Sequence, residues 1–266
     1  MSNLELLKKL IKIESISPND NGCFDVIKQQ FDGLDFSFEE TNYKNISNLI
    51  ITNGDSKNKT FCFLGHTDVV PPGPESEWSV PPFSGEIIDN KIYGRGAADM
   101  KGGVACFISA LKEFLSENKD PSFNIMVLLN SNEEGKLENG KVDRVINEMI
   151  DKDKFIDFCL IGEPSSSKKV GDVIRIGRRG SLSGNLKVYG IQGHVAYPKQ
   201  ALNPILGIGK TLEELKNMEW DRGNENFEPT SFQVSNIKSG TGAENVVPGV
   251  LEMTFNFRFS PESSPD

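Results

Sequence analysis

The chain has 266 residues, enough for one large hydrophobic core or two smaller ones. Its hydrophobic share of 37%, charged share of 25% and formal net charge of -9 are typical of a globular protein and argue against a nucleic-acid-binding surface. No stretch of about 18 apolar residues is present, so we expect no membrane span. The first residues lack a signal-peptide layout and the cysteines show no C-x-x-C spacing, which predicts a cytoplasmic protein with reduced thiols.

The first two thirds of the chain predict helices and strands in alternation. Leu4, Leu7, Leu10 and Ile11 recur at helical spacing and predict an amphipathic first helix. Four apolar runs have the length of strands: residues 48–52, 60–64, 125–129 and 158–161. Two further short strands and one helix are predicted at residues 86–88, 91–93 and 104–114. Buried strands that alternate with helices predict an α/β fold, in which a mostly parallel mixed sheet is flanked by helices.

The pattern changes near Gly180. Apolar and polar residues alternate from residue 182 to residue 189, a helix is predicted over residues 204–218, and two more alternating stretches follow at 231–237 and 251–259. This order predicts a small α+β unit with one solvated face. We therefore predict two domains, residues 1–179 and 180–266. The last seven residues have turn composition, so we expect the chain to be a portion of a longer protein.

Four motifs with acidic or histidine residues lie where apolar runs end. They are residues 65–68 (GHTD), 94–103 (GRGAADMKGG), 132–135 (NEEG) and 162–164 (GEP). One imidazole and several carboxylates at the carboxyl ends of strands are the side chains that a site for two divalent cations needs. The residues concerned are His66, Asp99, Glu133, Glu134 and Glu163. The competing interpretations are a lone surface histidine, a helix cap at Asp99 and solvated loop acids at Glu133 and Glu134.

Local spacing assigns provisional roles within these motifs. Asp68 lies two residues after His66 and can accept the second ring N–H of a metal-bound imidazole. Of the adjacent Glu133 and Glu134, one would be a ligand and the other a general base. For His194 a structural turn and a catalytic role are equally compatible with the sequence. Arg258 is either an exposed arginine or a clamp for a carboxylate.

Taken together, the four motifs resemble the di-zinc amidohydrolases of the aminoacylase and carboxypeptidase type. Within that family, residues 177–184, 190–198, 244–249 and 256–260 are similar to the succinyl-diaminopimelate desuccinylases. The resemblance implies an exopeptidase-like catalytic domain with a lid that also forms a homodimer. It also implies two divalent ions, Zn²⁺ or Co²⁺, and a small-molecule substrate, N-succinyl-LL-2,6-diaminopimelate, which is hydrolysed in lysine and diaminopimelate biosynthesis.

The resemblance further implies a role for each site residue. His66 and Glu163 would hold one metal, Asp99 would bridge both, and Glu134 would hold the second. Glu133 would be the general acid/base, Asp68 would orient His66, and the peptide bond after Asp99 would be cis. His194 would stabilise the oxyanion in the site of the partner subunit. The substrate would be bound by Arg178, Ser181, Tyr197, Asn245 and Arg258.

The chain departs from this family in its histidine content. Family members continue past the equivalent of residue 266 and contribute a second metal-binding histidine there, whereas this chain has only His66 and His194. We therefore expect one complete metal site and a second, incomplete one. The alternatives are a related acyl-amino-acid deacylase or dipeptidase, and a non-catalytic dimerising remnant.

Overall fold

The computed structural model describes residues 1–54, 58–119, 121–135 and 142–264. They form two compact units, Met1–Ser166 and Ser167–Asp266. The division comes earlier than residue 179, where the sequence predicts the boundary. Residues 167–179 contain no helix or strand and are part of the second unit. None of the described helices is long and apolar enough to cross a membrane.

The first unit contains four α-helices and seven strands among its described residues. The helices are α1 (Asn3–Ile11), α2 (Cys23–Lys28), α3 (Lys101–Glu117) and α4 (Val142–Ile150). The strands are β1 (Ser37–Tyr43), β2 (Ile46–Thr52), β3 (Thr60–His66), β4 (Glu86–Ile88), β5 (Lys91–Tyr93), β6 (Asn124–Asn130) and β7 (Phe158–Ile161). The sequence predicts β2 to β7, α1 and α3 to within a few residues. It does not predict β1, α2 or α4.

Five of these strands form one mixed sheet in the order β1-β2-β6-β3-β7. The pairs β1–β2 and β2–β6 are antiparallel, whereas β6–β3 and β3–β7 are parallel. The predicted mixed α/β sheet is therefore confirmed, and its parallel part consists of three adjacent strands with β3 in the middle. Their carboxyl ends meet at one edge of the sheet, where ligands bind in α/β folds.

Apolar side chains cover both faces of this sheet. On one face, Leu49, Phe63 and Val127 pack against residues of α1, α2 and α3 such as Leu10 and Ile108. The opposite face packs against α4, through a second cluster formed by Ile50, Cys62, Met126, Leu128, Val145 and Met149. Burial of each such side chain stabilises the fold by about 1.5–3 kcal/mol. The core therefore holds β3 and β6 at fixed spacing, whereas the exposed strand β7 is joined to them by its parallel pairing with β3.

The second unit contains a three-stranded antiparallel sheet and two short helices. Its strands are β8 (Gly180–Tyr189), β9 (Gly193–His194), β10 (Ser231–Ser239), β11 (Val246–Val247) and β12 (Val250–Phe259). The order β10-β12-β8 forms the sheet, and β9 pairs with β11. The predicted helix over residues 204–218 is divided into α5 (Pro204–Gly207) and α6 (Gly209–Asn217). One face of the sheet packs on α6 through Ile208, Leu251 and Met253, and much of the other is exposed, as the alternating pattern predicts.

The four cysteines are free thiols. Cys23 and Cys62 are buried, whereas Cys106 and Cys159 are exposed. Cys106 is exposed on α3, although the sequence places it in an apolar stretch.

Candidate metal centre

Three of the predicted motifs follow the three parallel strands at one edge of the sheet. His66 is the last residue of β3, Glu133 and Glu134 come shortly after β6, and Glu163 comes two residues after β7. Because β3 lies between β6 and β7, His66 is flanked by Glu133 and Glu134 on one side and by Glu163 on the other. The strand order thus brings together side chains that lie up to about a hundred residues apart in the chain.

Asp99 reaches the same edge from the segment before α3. The peptide bond between Asp99 and Met100 is cis, as the resemblance predicts. Met100, and not Asp99, is the residue that caps α3, and it makes no side-chain capping bond. The Asp99 carboxylate is therefore not used as a helix cap. The helix begins close to the end of β7, since a Cβ atom on Gly103 would lie 2.3 Å from the carbonyl oxygen of Gly162.

Among the residues that the structure describes, two sets of three side chains lie close enough together to hold a metal ion, and His66 is common to both. We call His66, Asp99 and Glu163 the first donor group, and His66, Glu133 and Glu134 the second donor group. Within each group the ligand atoms lie within 4.8 Å of one another. The Nε2 atom of His66 is 3.2 Å from Asp99 Oδ1, 3.5 Å from Glu163 Oε1 and 4.0 Å from Glu133 Oε2.

The environment of His66 determines which of its ring nitrogens can bind a metal ion. The ring is 1% exposed, and its Nδ1 atom lies 2.9 Å from the backbone carbonyl oxygen of Asp68. A carbonyl oxygen only accepts hydrogen bonds, so Nδ1 carries a proton. In the neutral ring Nε2 is then the free acceptor, and it faces the carboxylates. The Asp68 carboxylate, expected from the sequence to orient the ring, is at a longer distance, 3.5 Å from Nδ1.

The Asp68 carboxylate is fully buried and accepts hydrogen bonds from the loop that follows β6. Its Oδ1 accepts from the backbone N–H of Glu133 at 3.1 Å, and its Oδ2 accepts from that of Glu134 at 3.2 Å. The hydroxyl of Ser17 also donates to Oδ2. Asp68 therefore connects the end of β3 to the loop that bears two of the predicted site residues.

Burial and the crowding of negative charge shift the pKa values of His66, Glu134 and Glu163. Burial by itself lowers the pKa of His66, but its hydrogen bond with Asp68 and the charges of Asp68 and Glu133 raise that pKa to about 9. Burial and the charge of Asp99 raise the pKa of Glu163 to about 7. The same two causes, in the same order, raise the pKa of Glu134. The cluster thus holds more carboxylate charge than its buried imidazole neutralises.

This donor set fits divalent metal ions. A neutral imidazole nitrogen and carboxylate oxygens are the ligands that Zn²⁺ binds in proteins, together with Cys thiolates. A cation among these groups would offset the repulsion that raises the pKa values of Glu163 and Glu134. His66 also has the outer hydrogen bond, from Nδ1 to a carbonyl oxygen, that metal-binding histidines typically make.

Three of the predicted residues in the second unit lie close together. His194 is in β9, opposite Val246 of β11, and its ring centroid is 5.7 Å from that of Tyr197. The carbonyl oxygen of Asn245 accepts from the N–H of Val195 at 3.1 Å. His194, Tyr197 and Asn245 are all exposed, so their side chains are accessible to a ligand.

The other predicted residues of the second unit lie on or before its sheet. Ser181 of β8 and Arg258 of β12 are paired across the strands. The Ser181 hydroxyl accepts from Asn256 Nδ2 at 2.9 Å. Arg178 is exposed and precedes β8. The five predicted substrate-binding side chains are therefore not brought into one cluster within this unit.

Two residues that support the candidate centre were not predicted from the sequence. Lys101 is fully buried, and its ammonium group donates to the carbonyl oxygens of Leu10 and Ile13 near the end of α1, at 2.8 Å each. Ser17 donates to Asp68. Lys101 belongs to the motif at residues 94–103, but the sequence gives it no role. The hydrogen-bond partners of both residues are distant in sequence, so no local pattern indicates these contacts.

Comparison with known proteins gives a consistent result. Residues 62–261 match the model of the peptidase family M20/M25/M40. Succinyl-diaminopimelate desuccinylase of Methylococcus capsulatus is 51% identical over 259 residues, which cover 97% of this chain and 68% of that protein. The chain thus spans about two thirds of the length of this relative.

Solved structures with the same fold have lower identity. The M20 family metallo-carboxypeptidase Sso-CP2 of Sulfolobus solfataricus aligns with a TM-score of 0.64 at 21% identity, over 100% of this chain and 72% of that chain. The YXEP protein of Bacillus subtilis, described as a dinuclear metal-binding peptidase, aligns with a TM-score of 0.61 at 12% identity, over 98% of this chain and 64% of that chain. The fold, the match over residues 62–261 and the 51% identical relative together show that the chain belongs to the peptidase family M20/M25/M40.

Proposed function

We propose that this chain is a metal-dependent amide hydrolase that removes succinate from N-succinyl-LL-2,6-diaminopimelate. The observation that carries the proposal is the buried His66 imidazole, which is surrounded at one sheet edge by the carboxylates of Asp99, Glu133, Glu134 and Glu163. The 51% identity to a succinyl-diaminopimelate desuccinylase supports the choice of substrate. The same relationship supports a place in diaminopimelate and lysine biosynthesis.

The proposed cofactors are divalent ions, Zn²⁺ or Co²⁺. His66, Asp99 and Glu163 would hold one ion, and Asp99 and Glu134 would hold a second. When bound, such ions supply positive charge that polarises an amide carbonyl group and acidifies water. Since the chain contains only one further histidine, His194, the second ion would have only carboxylate ligands from the first unit.

Glu133 is the proposed general acid/base. Its carboxylate is 53% exposed and lies 4.0 Å from His66 Nε2, at the edge of the cluster, so solvent and substrate can reach it. Glu133 would take a proton from water as the water oxygen adds to the amide carbonyl carbon. It would then donate that proton to the amide nitrogen as the C–N bond breaks. The products are succinate and the free amine of diaminopimelate.

Asp68 is proposed to support the hydrolysis indirectly, by positioning Glu133 and Glu134. Its buried carboxylate binds the backbone N–H groups of both Glu133 and Glu134, and this contact would keep the general base at a fixed position. It also lies near the protonated side of the His66 ring. A positioned base contributes about 10²–10⁴-fold to the rate of proton transfer steps.

The second unit supplies the proposed contacts to the substrate. The substrate carries several carboxylates, which arginine side chains bind with paired N–H donors. Arg178 and Arg258 would bind these groups, with Ser181, Tyr197 and Asn245 as neutral partners. His194 would donate from Nε2 to the oxyanion of the reacting amide in the site of the partner subunit. Its Nδ1 accepts the N–H of Ala196 at 3.1 Å, so Nε2 carries the proton in the neutral ring.

A cytoplasmic homodimer formed through the second unit completes the proposal. Large apolar side chains exposed on that unit support it, and two of them, Ile191 and Leu202, are paired by an isolated β-bridge. Ile191, Leu202 and Leu206 are 57%, 57% and 78% exposed. Sedimentation equilibrium of the chain and of its Leu206→Glu variant tests the dimer, and we expect the variant to shift toward monomer.

Hydrolysis assays with three substrates test the function. The chain is supplied with Zn²⁺ or Co²⁺ and given N-succinyl-LL-2,6-diaminopimelate, N-acetylornithine or a dipeptide at equal concentration. We expect metal-dependent release of succinate, with kcat/KM highest for the succinyl substrate. Preference for the dipeptide or for N-acetylornithine would contradict the proposed substrate, and hydrolysis that is unaffected by a chelator would contradict the proposed metal dependence.

A further inference from the structure

The short segment Ser15–Pro18 lies alongside the candidate metal centre and contacts two of its loops. On one side, the Ser15 hydroxyl donates to the carbonyl oxygen of Thr67 at 2.7 Å, and the Ser17 N–H donates to that of Val69 at 3.1 Å. On the other side, the Ser131 hydroxyl donates to the carbonyl oxygen of Pro18 at 2.7 Å. The segment therefore bridges the residues after β3 and the residues after β6.

Ser17 is the residue of this segment that reaches the buried Asp68 carboxylate. Its hydroxyl donates to Asp68 Oδ2, the same oxygen that accepts the N–H of Glu134. The hydroxyl also lies 3.3 Å from the carbonyl oxygen of Val69. Ser17 thus contacts the carboxylate directly, whereas Ser15 does not.

The Ser17 side chain also lies against the loop that carries Glu133 and Glu134. A Cβ atom on Gly135 would be 3.3 Å from Ser17 Cβ, and 1.9 Å from Asn132 Oδ1. The contact with Asn132 leaves room only for glycine at this position, and the 3.3 Å spacing places Gly135 next to the Ser17 side chain. Asp68 holds the loop by hydrogen bonds, and Ser17 lies against it.

We propose that Ser17 is a positioning residue for the hydrolysis, an inference that rests on the proposed function. Its hydroxyl fixes the orientation of the Asp68 carboxylate, which in turn holds the N–H groups of Glu133 and Glu134. The loop then presents the Glu133 carboxylate at the edge of the cluster. In the described part of the chain, the Ser17 hydroxyl bonds to Asp68 and Val69 and not to a side chain of either donor group, and on this proposal it does not touch the substrate.

Three variants test the role of Ser17. Ser17→Ala removes the hydroxyl, and Ser17→Thr retains it. Ser15→Ala is the matched control, because Ser15 ties the same segment to the residues after β3 but does not reach Asp68. If the segment has only a structural role, Ser15→Ala and Ser17→Ala should change amide exchange and kcat by equal amounts.

The first measurement is amide hydrogen exchange at Glu133 and Glu134 by NMR, in the chain without added metal. We expect exchange at these two amides to become about tenfold faster or more in Ser17→Ala, since their acceptor loses a restraint. Ser15→Ala and Ser17→Thr should leave these rates within about threefold of those of the unaltered chain. Unchanged exchange in Ser17→Ala would overturn the proposal, whatever the activity.

The second measurement is succinate release with Zn²⁺ or Co²⁺. We expect kcat to fall about 10–100-fold in Ser17→Ala, which is the usual cost of losing an outer contact in a metal site, with KM within about twofold. Ser17→Thr should restore kcat, and an equal loss in Ser15→Ala would overturn the specific role. Faster exchange in Ser17→Ala together with no hydrolysis by the unaltered chain would support the loop contact and contradict the proposed function instead.

Discussion

The two donor groups share one imidazole but differ in how closely their carboxylates surround it. In the first donor group, Asp99 and Glu163 lie 3.2 and 3.5 Å from His66 Nε2, and their side chains are 51% and 22% exposed. In the second donor group, Glu133 lies at 4.0 Å and is 53% exposed. One ring nitrogen binds one ion, so the first group, whose carboxylates lie closer to that nitrogen, is the better ligand set. The second group contains Glu133, the proposed general acid/base.

Replacing the shared residue should have the largest effect. We expect His66→Ala to weaken the tightest Zn²⁺ binding by more than about 100-fold, because loss of a ligand exceeds the 10–100-fold cost of losing an outer contact. Succinate release should fall below detection. Isothermal titration calorimetry measures the affinity, and His194→Ala is the control, since His194 is in neither donor group. Equal loss of Zn²⁺ affinity in both variants would contradict the assignment to His66.

Glu133→Gln should separate proton transfer from metal binding. The amide keeps the size of the side chain but cannot take a proton, so we expect kcat to fall about 10²–10⁴-fold. The tightest Zn²⁺ affinity should stay within about threefold of that of the unaltered chain, because Glu133 is outside the first donor group. A variant that loses Zn²⁺ and activity together would show that Glu133 is a ligand rather than the base.

The pH dependence of Zn²⁺ binding should follow the raised pKa values of His66 and Glu163 in the first donor group. An ion must displace a proton from His66, whose pKa is about 9, and below about pH 7 also from Glu163. Affinity should therefore increase with pH, by about tenfold for each unit between about pH 7 and 9 and more steeply below. Calorimetry in two buffers with different ionisation enthalpies should detect release of about one proton at about pH 8. An affinity that is flat over this range would contradict these protonation states.

A glycine-to-alanine substitution in α3 should test whether the close approach of α3 to β7 positions Glu163 in the first donor group. Gly103→Ala puts a Cβ atom 2.3 Å from the Gly162 carbonyl oxygen, so helix α3 and the end of β7 must move apart. We expect a loss of about 1–3 kcal/mol in the free energy of unfolding, measured by denaturant titration, together with weaker Zn²⁺ binding. Gly209→Ala is the control: nothing lies within 4 Å of its Cβ position, and it should stabilise by about 0.4–1 kcal/mol. Unaltered Zn²⁺ affinity in Gly103→Ala would show that the close approach does not position Glu163.

Much of the sheet and the identity of the candidate ligands follow from the sequence. Strands β2, β3 and β6 are short apolar runs because they lie in the middle of the sheet. Strand β7 is an equally apolar run, although it is an edge strand whose four residues are exposed. Polar motifs that follow such runs point to the ligand-binding edge. Strand β1 gave no such signal because most of its residues are polar, as suits a largely exposed edge strand.

The arrangement within the site could not be predicted in this way. Which carboxylates share a side of His66 depends on the order β6-β3-β7, and strand order is a property of the folded sheet rather than of any one segment. The contacts of Ser17 with Asp68 and of Lys101 with Leu10 and Ile13 are equally non-local. From the sequence alone, a lysine in an acidic motif is expected at the surface. Only the folded structure shows that Lys101 is buried and that backbone carbonyl oxygens accept its hydrogen bonds.

The most direct test of the difference between the donor groups is Zn²⁺ affinity in the variants Glu163→Gln and Glu134→Gln. The two glutamates follow strands on opposite sides of β3, which ends at His66, and each substitution replaces a carboxylate with an amide of the same size. We predict one tightly bound ion per chain, whose affinity falls by at least about tenfold in Glu163→Gln and by less than about threefold in Glu134→Gln. Two equally tight ions per chain, or a larger loss in Glu134→Gln, would contradict the account.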